Sequence, residues 1–174
     1  LSDLFGAFKA CSGADYPIGI LSVAPMANDT HRLDLIDGQQ RITTLLLIGG
    51  VARTFAADWS AFARADRLHL YGRRNDQAYL ERGGPEDTAC NPRMKEAVRV
   101  AKTFFESLGQ DAGPFACYVY HHAAFFLSTV PKDYTLLDKN QQFVRLNNRG
   151  RQLEKHEILK VRLLGWLDDS TRRD

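Results

Sequence analysis

Arg32-Leu33-Asp34-Leu35-Ile36-Asp37-Gly38-Gln39-Gln40-Arg41-Ile42-Thr43-Thr44-Leu45-Leu46-Leu47 is the stretch on which the fold turns. Leu33 to Ile36 reads as an apolar strand. After Gly38, apolar and small residues recur at helical spacing: Ile42, Leu45, Leu46, Gly49, Ala52, Ala56 and Trp59. A strand therefore hands over to a long helix at Asp37-Gly38. The first amides of a helix lack intrahelical partners, and the helix dipole adds partial positive charge there. A phosphate or another anion is the natural guest of such a junction. A plainer reading stands beside this one. Asp37 could cap the helix, Gly38 could relax the turn, and Gln and Arg are good helix formers that tolerate the surface. The density of donors (two amides, a guanidinium and two hydroxyls) favours the binding reading.

A second dense segment lies far downstream: Phe143-Val144-Arg145-Leu146-Asn147-Asn148-Arg149-Gly150, then Leu153 and Glu157-Ile158-Leu159-Lys160. Gly150 suits the positive φ that a turn between helices often requires, and Asn147 or Asn148 suits local backbone capping. Neither role accounts for Arg149, whose planar fork matches phosphates and carboxylates. Together, Asp37-Gly38-Gln39-Gln40-Arg41-Ile42-Thr43-Thr44-Leu45 and the later segment resemble the two motifs of the GmrSD-type, ParB-like nuclease/NTPase family, in the same order.

The resemblance implies an α+β domain of the ParB/sulfiredoxin-like kind, a small sheet with several packed helices. It implies a nucleotide-binding, nucleotide-hydrolysing module of a modification-dependent restriction or anti-phage system, an NTPase or endonuclease component. Nucleoside triphosphate and Mg²⁺ are the expected cofactors. In that picture Gly38, Arg41, Thr43, Asn147 and Arg149 bind nucleotide, and Asp37, Gln39, Gln40 and Arg41 are the catalytic candidates. The amides after Gly38 cradle phosphate and Arg41 neutralises it. Gln39 and Gln40 orient phosphate oxygens or an attacking water. Asp37 accepts from a nucleotide hydroxyl, holds a Mg²⁺-bound water, or acts as base. Arg149 supplies transition-state charge, since electrostatics carries most of phosphoryl transfer. The resemblance also implies that Arg41 and Arg149 face one pocket. Two alternatives stay open: a non-catalytic nucleotide or DNA switch serving a separate nuclease domain, and a structural or partner-docking domain.

The rest of the chain frames these motifs. Leu4, Phe5, Phe8 and Lys9 suit a short amphipathic helix. Tyr16 to Ala24 reads as a strand, Pro25 to Thr30 as a loop, and Arg32 to Ile36 as an antiparallel partner. Gly49 and Gly50 inside the long helix imply close approach of another element. Arg67 to Tyr71 alternates and predicts a third strand, followed by a basic turn over Gly72 to Asp76. Glu81 to Asn91 reads as a loop. Helices are expected over Pro92 to Leu108, Phe115 to Thr129, Asp138 to Leu146 and Leu153 to Leu167.

Composition is that of an ordinary protein with one compact domain over residues 1–174 and a helical C-terminal part. The first residue is Leu1 and the tail is polar, so the chain is expected to be a piece of a longer protein. The family's preceding segment of basic and aromatic residues is not found here. A net charge of +2 does not by itself argue for nucleic acid. DNA is expected as a partner through the full-length protein, and an oligomer is compatible with the sequence. Arg64, Arg67, Arg73 and Arg74 form a weaker nucleic-acid candidate, or an ordinary solvated face. The three cysteines, Cys11, Cys90 and Cys117, are far apart. They indicate neither a disulfide framework nor a zinc site, and a reducing cytoplasm suits them. The longest apolar run, Ile42 to Ala52, is shorter than the roughly 20 residues of a membrane span. No P-loop is present. His156-Glu157-Ile158-Leu159-Lys160 lacks a second metal ligand, and adjacent His121 and His122 cannot share a metal on a helix.

Overall fold

The computed structural model describes residues 1–148, apart from residues 11–12, 27–28, 83, 85–88 and 132. Residues 30, 65, 136 and 145–148 are described by backbone alone. The architecture is α+β, with seven α-helices and a three-stranded sheet among the described residues. In chain order the elements are α1 (Ser2–Ala10), β1 (Tyr16–Met26), β2 (Asp29–Asp37), α2 (Gln39–Ala52), α3 (Trp59–Phe62), α4 (Arg74–Glu81), α5 (Pro92–Ser107), α6 (Ala112–His122), β3 (Ala123–Thr129) and α7 (Leu136–Asn148). Short 3₁₀ turns lie at Ala65–Arg67 and Gly109–Asp111. The chain divides into two compact units. One comprises Leu1–Gly19 and Gln40–Phe125, the other Ile20–Gln39 and the chain from Phe126 onward.

The first unit is helical, and its core is aromatic. Trp59, Tyr79, Phe105 and Phe115 are almost fully buried, joined by Leu47, Val51, Met94, Val98 and Val119. Each such side chain contributes roughly 1.5–3 kcal/mol by leaving water. Trp59 holds the centre. Its Nε1 donates to the Ala116 carbonyl at 2.9 Å, which satisfies the buried indole N–H. Its ring lies so close to α2 that a Cβ on Gly49 would stand 2.7 Å from Trp59 Cε3. The glycine is there because the ring occupies the space of a side chain. The helical periodicity that reaches Trp59 in the sequence is interrupted: α2 stops at Ala52, and Thr54 Oγ1 bonds the Val51 carbonyl at 2.8 Å in the turn that follows. Ala56 and Trp59 leave the helix yet stay in the same core.

Two expectations in this region are overturned. Arg67 to Tyr71 is not a strand. The backbone groups a sheet would use are taken by one side chain: Gln77 Oε1 accepts from the Leu70 N–H at 2.7 Å, and Gln77 Nε2 donates to the Leu68 carbonyl at 3.3 Å. The basic turn is correspondingly short, because α4 starts at Arg74. The second correction concerns Phe115 to Thr129. Helix α6 ends at His122 and the chain continues as β3, the actual third strand. α5 starts as expected, with Asn91 Oδ1 accepting from the Arg93 N–H at 3.0 Å.

The sheet order is β2-β1-β3; all of β2 and most of β1 and β3 belong to the second unit. β1 and β2 are antiparallel, with Ser22 opposite Asp37, Val23 opposite Leu35, Ala24 opposite Asp34 and Pro25 opposite Leu33. The hairpin is tighter than the expected Pro25 to Thr30 loop, since pairing extends to Met26 and Asp29. The register shifts between Ser22 and Val23, where Ile36 is the additional residue on β2. Ala24, Ile36 and Val130 form a small core against Tyr134 and Phe143. The Val130 N–H donates to the Val23 carbonyl at 2.9 Å. Thr135 and Asp138 form a capping box at the start of α7. Asp138 Oδ2 accepts from the Thr135 hydroxyl at 2.6 Å and N–H at 2.9 Å, while Thr135 Oγ1 accepts from the Asp138 N–H at 3.2 Å.

Two outcomes follow from this packing. Gly49→Ala gains about 1 kcal/mol of helix propensity, but the new methyl overlaps the Trp59 ring. The net result is a loss of about 1–2 kcal/mol, read as a lower urea midpoint at unchanged slope. The Thr135 hydroxyl, with the Thr135 N–H, holds the Asp138 carboxyl below its ordinary value. A depressed folded pKa means stability that is present above the unfolded pKa and lost as pH falls through the folded one. Asp138→Asn should therefore lower the melting temperature at neutral pH, with the difference from wild type shrinking in acid below the ordinary carboxylate range.

Candidate functional site

Gly38 connects β2 to α2 and is buried, with φ +93°. A Cβ there would lie 2.4 Å from Leu21 Cδ2 and 3.2 Å from the Ile20 carbonyl oxygen. Both the dihedral and the contact demand glycine. The turn delivers α2 directly from the end of β2, with half-buried Asp37 on one side and exposed Gln39 on the other. Gln39 Nε2 donates back to the Leu35 carbonyl at 3.2 Å, so this amide is partly occupied in fixing the turn.

The first turn of α2 carries Gln39, Gln40 and Arg41 and no acidic residue. Gln40 and Arg41 are exposed, Thr43 half-buried and Thr44 exposed. Arg41 Cδ and Nε each stand 3.1 Å from the place a Cβ on Gly19 would take, so its stem runs along bare backbone. Asp37 and Arg41 both have interaction partners in the fold. A cation in the first turn opposes the helix dipole by roughly 0.3–1 kcal/mol at a surface position. An anion bound there reverses the sign, because guanidinium and helix end then attract the same charge.

On the opposite strand, Ser22 faces Asp37. Directly opposed residues project their side chains to the same face of a sheet. Ser22 is 1% exposed, and its Oγ finds no hydrogen-bond partner among the described residues. Sequence reading missed it; the available signal was a lone hydroxyl inside the apolar run Ile18 to Ala24.

Helix α7 brings the second motif toward this end of the sheet. Lys139 Nζ pairs with Asp34 Oδ2 at 2.9 Å, and Phe143 packs on the Ala24–Ile36–Val130 core. Asn147 lies in the last turn of α7, where only the backbone is described. Arg149, Gly150 and the expected helix Leu153 to Leu167 lie outside the described residues. The pocket expected to join Arg41 and Arg149 therefore lies outside them too.

Two of the four arginines of the basic cluster, Arg64 and Arg73, are paired with nearby carboxylates. Arg64 grips Asp66 with contacts of 3.0 and 2.6 Å, and the first of the causes holding the Asp66 carboxyl below its ordinary value is that hydrogen-bonded pairing. Arg73 pairs with Asp76 at 2.5 Å, and Arg67 donates to the Ala61 carbonyl at 3.2 Å. Arg64 and Arg73 are therefore less available to a polyanion than the sequence suggested. His121 and His122 turn to different carboxylates, Asp58 at 3.7 Å and Asp15 at 3.2 Å.

The chain matches, over residues 1–164, the family described as GmrSD restriction endonuclease, N-terminal domain. It belongs to that family. No curated protein and no solved structure gives a match. The GmrSD domain is a module of restriction systems. No helix among the described residues is long and apolar enough to cross a membrane.

Gly38→Ala tests how far the junction depends on its geometry. The substitution should cost about 1–3 kcal/mol from strained φ alone, and more from the clash with Leu21. Chemical denaturation of the GmrSD domain measures it. Neutral behaviour would mean that the turn can rebuild around a side chain.

Proposed function

We propose that this GmrSD domain binds a nucleoside triphosphate by its phosphates at the start of α2 and hydrolyses it. The turnover would couple to restriction of DNA by the longer protein. The observation that carries the reading is the composition of one helical turn. Gly38 brings bare backbone to the start of α2, and the turn that follows holds Gln39, Gln40 and Arg41 with no acid. That turn is unfavourable for an isolated helix and favourable for one that holds an anion.

The roles divide by chemistry. The backbone N–H groups after Gly38 and the Arg41 guanidinium receive phosphoryl oxygens. Gln40 would orient a phosphate oxygen or a water, and Thr43 would add a hydroxyl one turn into the helix. Gln39 serves the turn through Leu35 and keeps its amide oxygen for the ligand. Asp37 is the one carboxylate of the motif. A Mg²⁺ ion is commonly held by one or two carboxylates together with substrate phosphates, so Asp37 fits a magnesium-bound nucleotide. Such an ion would neutralise charge on the phosphates. Asn147 and Arg149 of the second motif complete the proposed set. The three-stranded sheet with helices is the kind of scaffold the ParB-like reading calls for.

Titration of the full-length protein with ATP, GTP and their magnesium complexes, followed by phosphate release, tests the reading. Arg41→Ala should weaken nucleotide binding by roughly ten- to a hundredfold, the range for losing a hydrogen-bonded charge. Arg41→Lys should restore only part of it, because the fork is lost. Binding without phosphate release, with modified DNA present, would leave a nucleotide switch instead of an NTPase. Absence of any nucleotide binding sinks the proposal.

A further inference from the structure

We propose that Ser22 is an additional ligand-contacting residue of this junction, its Oγ donating a hydrogen bond to a phosphoryl oxygen of the bound nucleotide. The inference rests on the phosphate reading above and extends it to a strand outside both sequence motifs. Three observations carry it. First, the hydroxyl is 1% exposed and has no hydrogen-bond partner among the described residues. A buried hydroxyl without a partner destabilises the fold, so its presence calls for a reason.

Second, packing supplies no such reason. Two residues along β1, Ala24 is 0% exposed and lies on the same face, so a small apolar side chain suits this layer. An alanine at position 22 would fill nearly the same volume without the orphaned oxygen. Third, the position is specific. Ser22 opposes Asp37, immediately before Gly38, at the point where the β1–β2 register shifts. Irregularities of this kind redirect side chains and are common beside functional sites. The hydroxyl therefore sits on the Asp37 face of the sheet, at the strand end from which α2 departs. Asp37, if it binds magnesium or a nucleotide hydroxyl, would leave Ser22 to a neighbouring phosphoryl oxygen.

This assignment gives opposite signs for stability and binding, which a purely structural serine would not. In the full-length protein, Ser22→Ala should melt at or above the wild-type temperature without ligand. The same variant should bind pyrophosphate and magnesium–ATP about ten- to a hundredfold more weakly by calorimetry, as expected for losing a hydrogen bond to a charged group. Ser22→Thr, which keeps the hydroxyl, should retain most of the affinity. Unchanged affinity in Ser22→Ala overturns the role of Ser22 and leaves the phosphate site standing. A lower ligand-free melting temperature, or failure to fold, would show that the hydroxyl is satisfied within the protein and overturns it as well. Wild-type protein that binds neither probe overturns both the serine assignment and the phosphate reading.

Discussion

The contact between Gly38 and Leu21 governs how strand becomes helix here. Leu21 fills the position that a side chain at residue 38 would need, and the Ile20 carbonyl stands just beyond. The chain can pass only as glycine, at a φ that other residues rarely adopt. Because the turn has no room to spare, β2 runs into α2 after a single intervening residue. The helix then starts where the sheet ends, and its first amides emerge beside the last strand residue, Asp37.

Each compact unit has its own source of order. In the helical unit, the indole of Trp59 lies against Gly49 and is bonded to the Ala116 carbonyl, joining α2 to α6 through one side chain. Phe62 and Tyr120 meet its ring edge-on, with centroids at 5.6 and 5.5 Å. In the sheet unit, the core is much smaller, and polar contacts share the work. Lys139 reaches Asp34, and the Thr135–Asp138 capping box sets where α7 begins. A site built on strand and helix ends inherits its precision from such supports.

Charge is treated differently in different parts of the molecule. Arg64, Arg73 and Arg99 are each matched by a carboxylate a few residues away; the Arg64 and Arg99 pairs are exposed and worth little to stability, whereas Asp76, the partner of Arg73, is buried. The first turn of α2 has two amides and a guanidinium with no acid in that turn, although Arg41 and the preceding Asp37 both have interaction partners in the fold. Ser22, across from Asp37, adds a hydroxyl whose burial has no packing rationale. These two departures from local rules are what the proposed phosphate site rests on. The family match to a restriction endonuclease N-terminal domain makes the chain a module of a restriction system.

The amino-acid sequence by itself determined the β1–β2 hairpin, α1, α2, α5 and α7, because each has a clear period, cap or turn residue in its own segment. It also marked Asp37 to Arg41, since polar residues so dense at a strand–helix boundary are visible without coordinates. Residues 67–71 and 123–129 were decided only by tertiary structure. The alternation at Arg67 to Tyr71 yielded to Gln77, a side chain seven or more residues away that took the backbone bonds of Leu68 and Leu70. Ala123 to Thr129 is apolar without a period, so length and neighbours settled it, and β1 supplied the partner. Ser22 was silent for the same reason. A serine in a strand is ordinary until the fold buries its hydroxyl opposite Asp37, and burial is a property of what surrounds a residue.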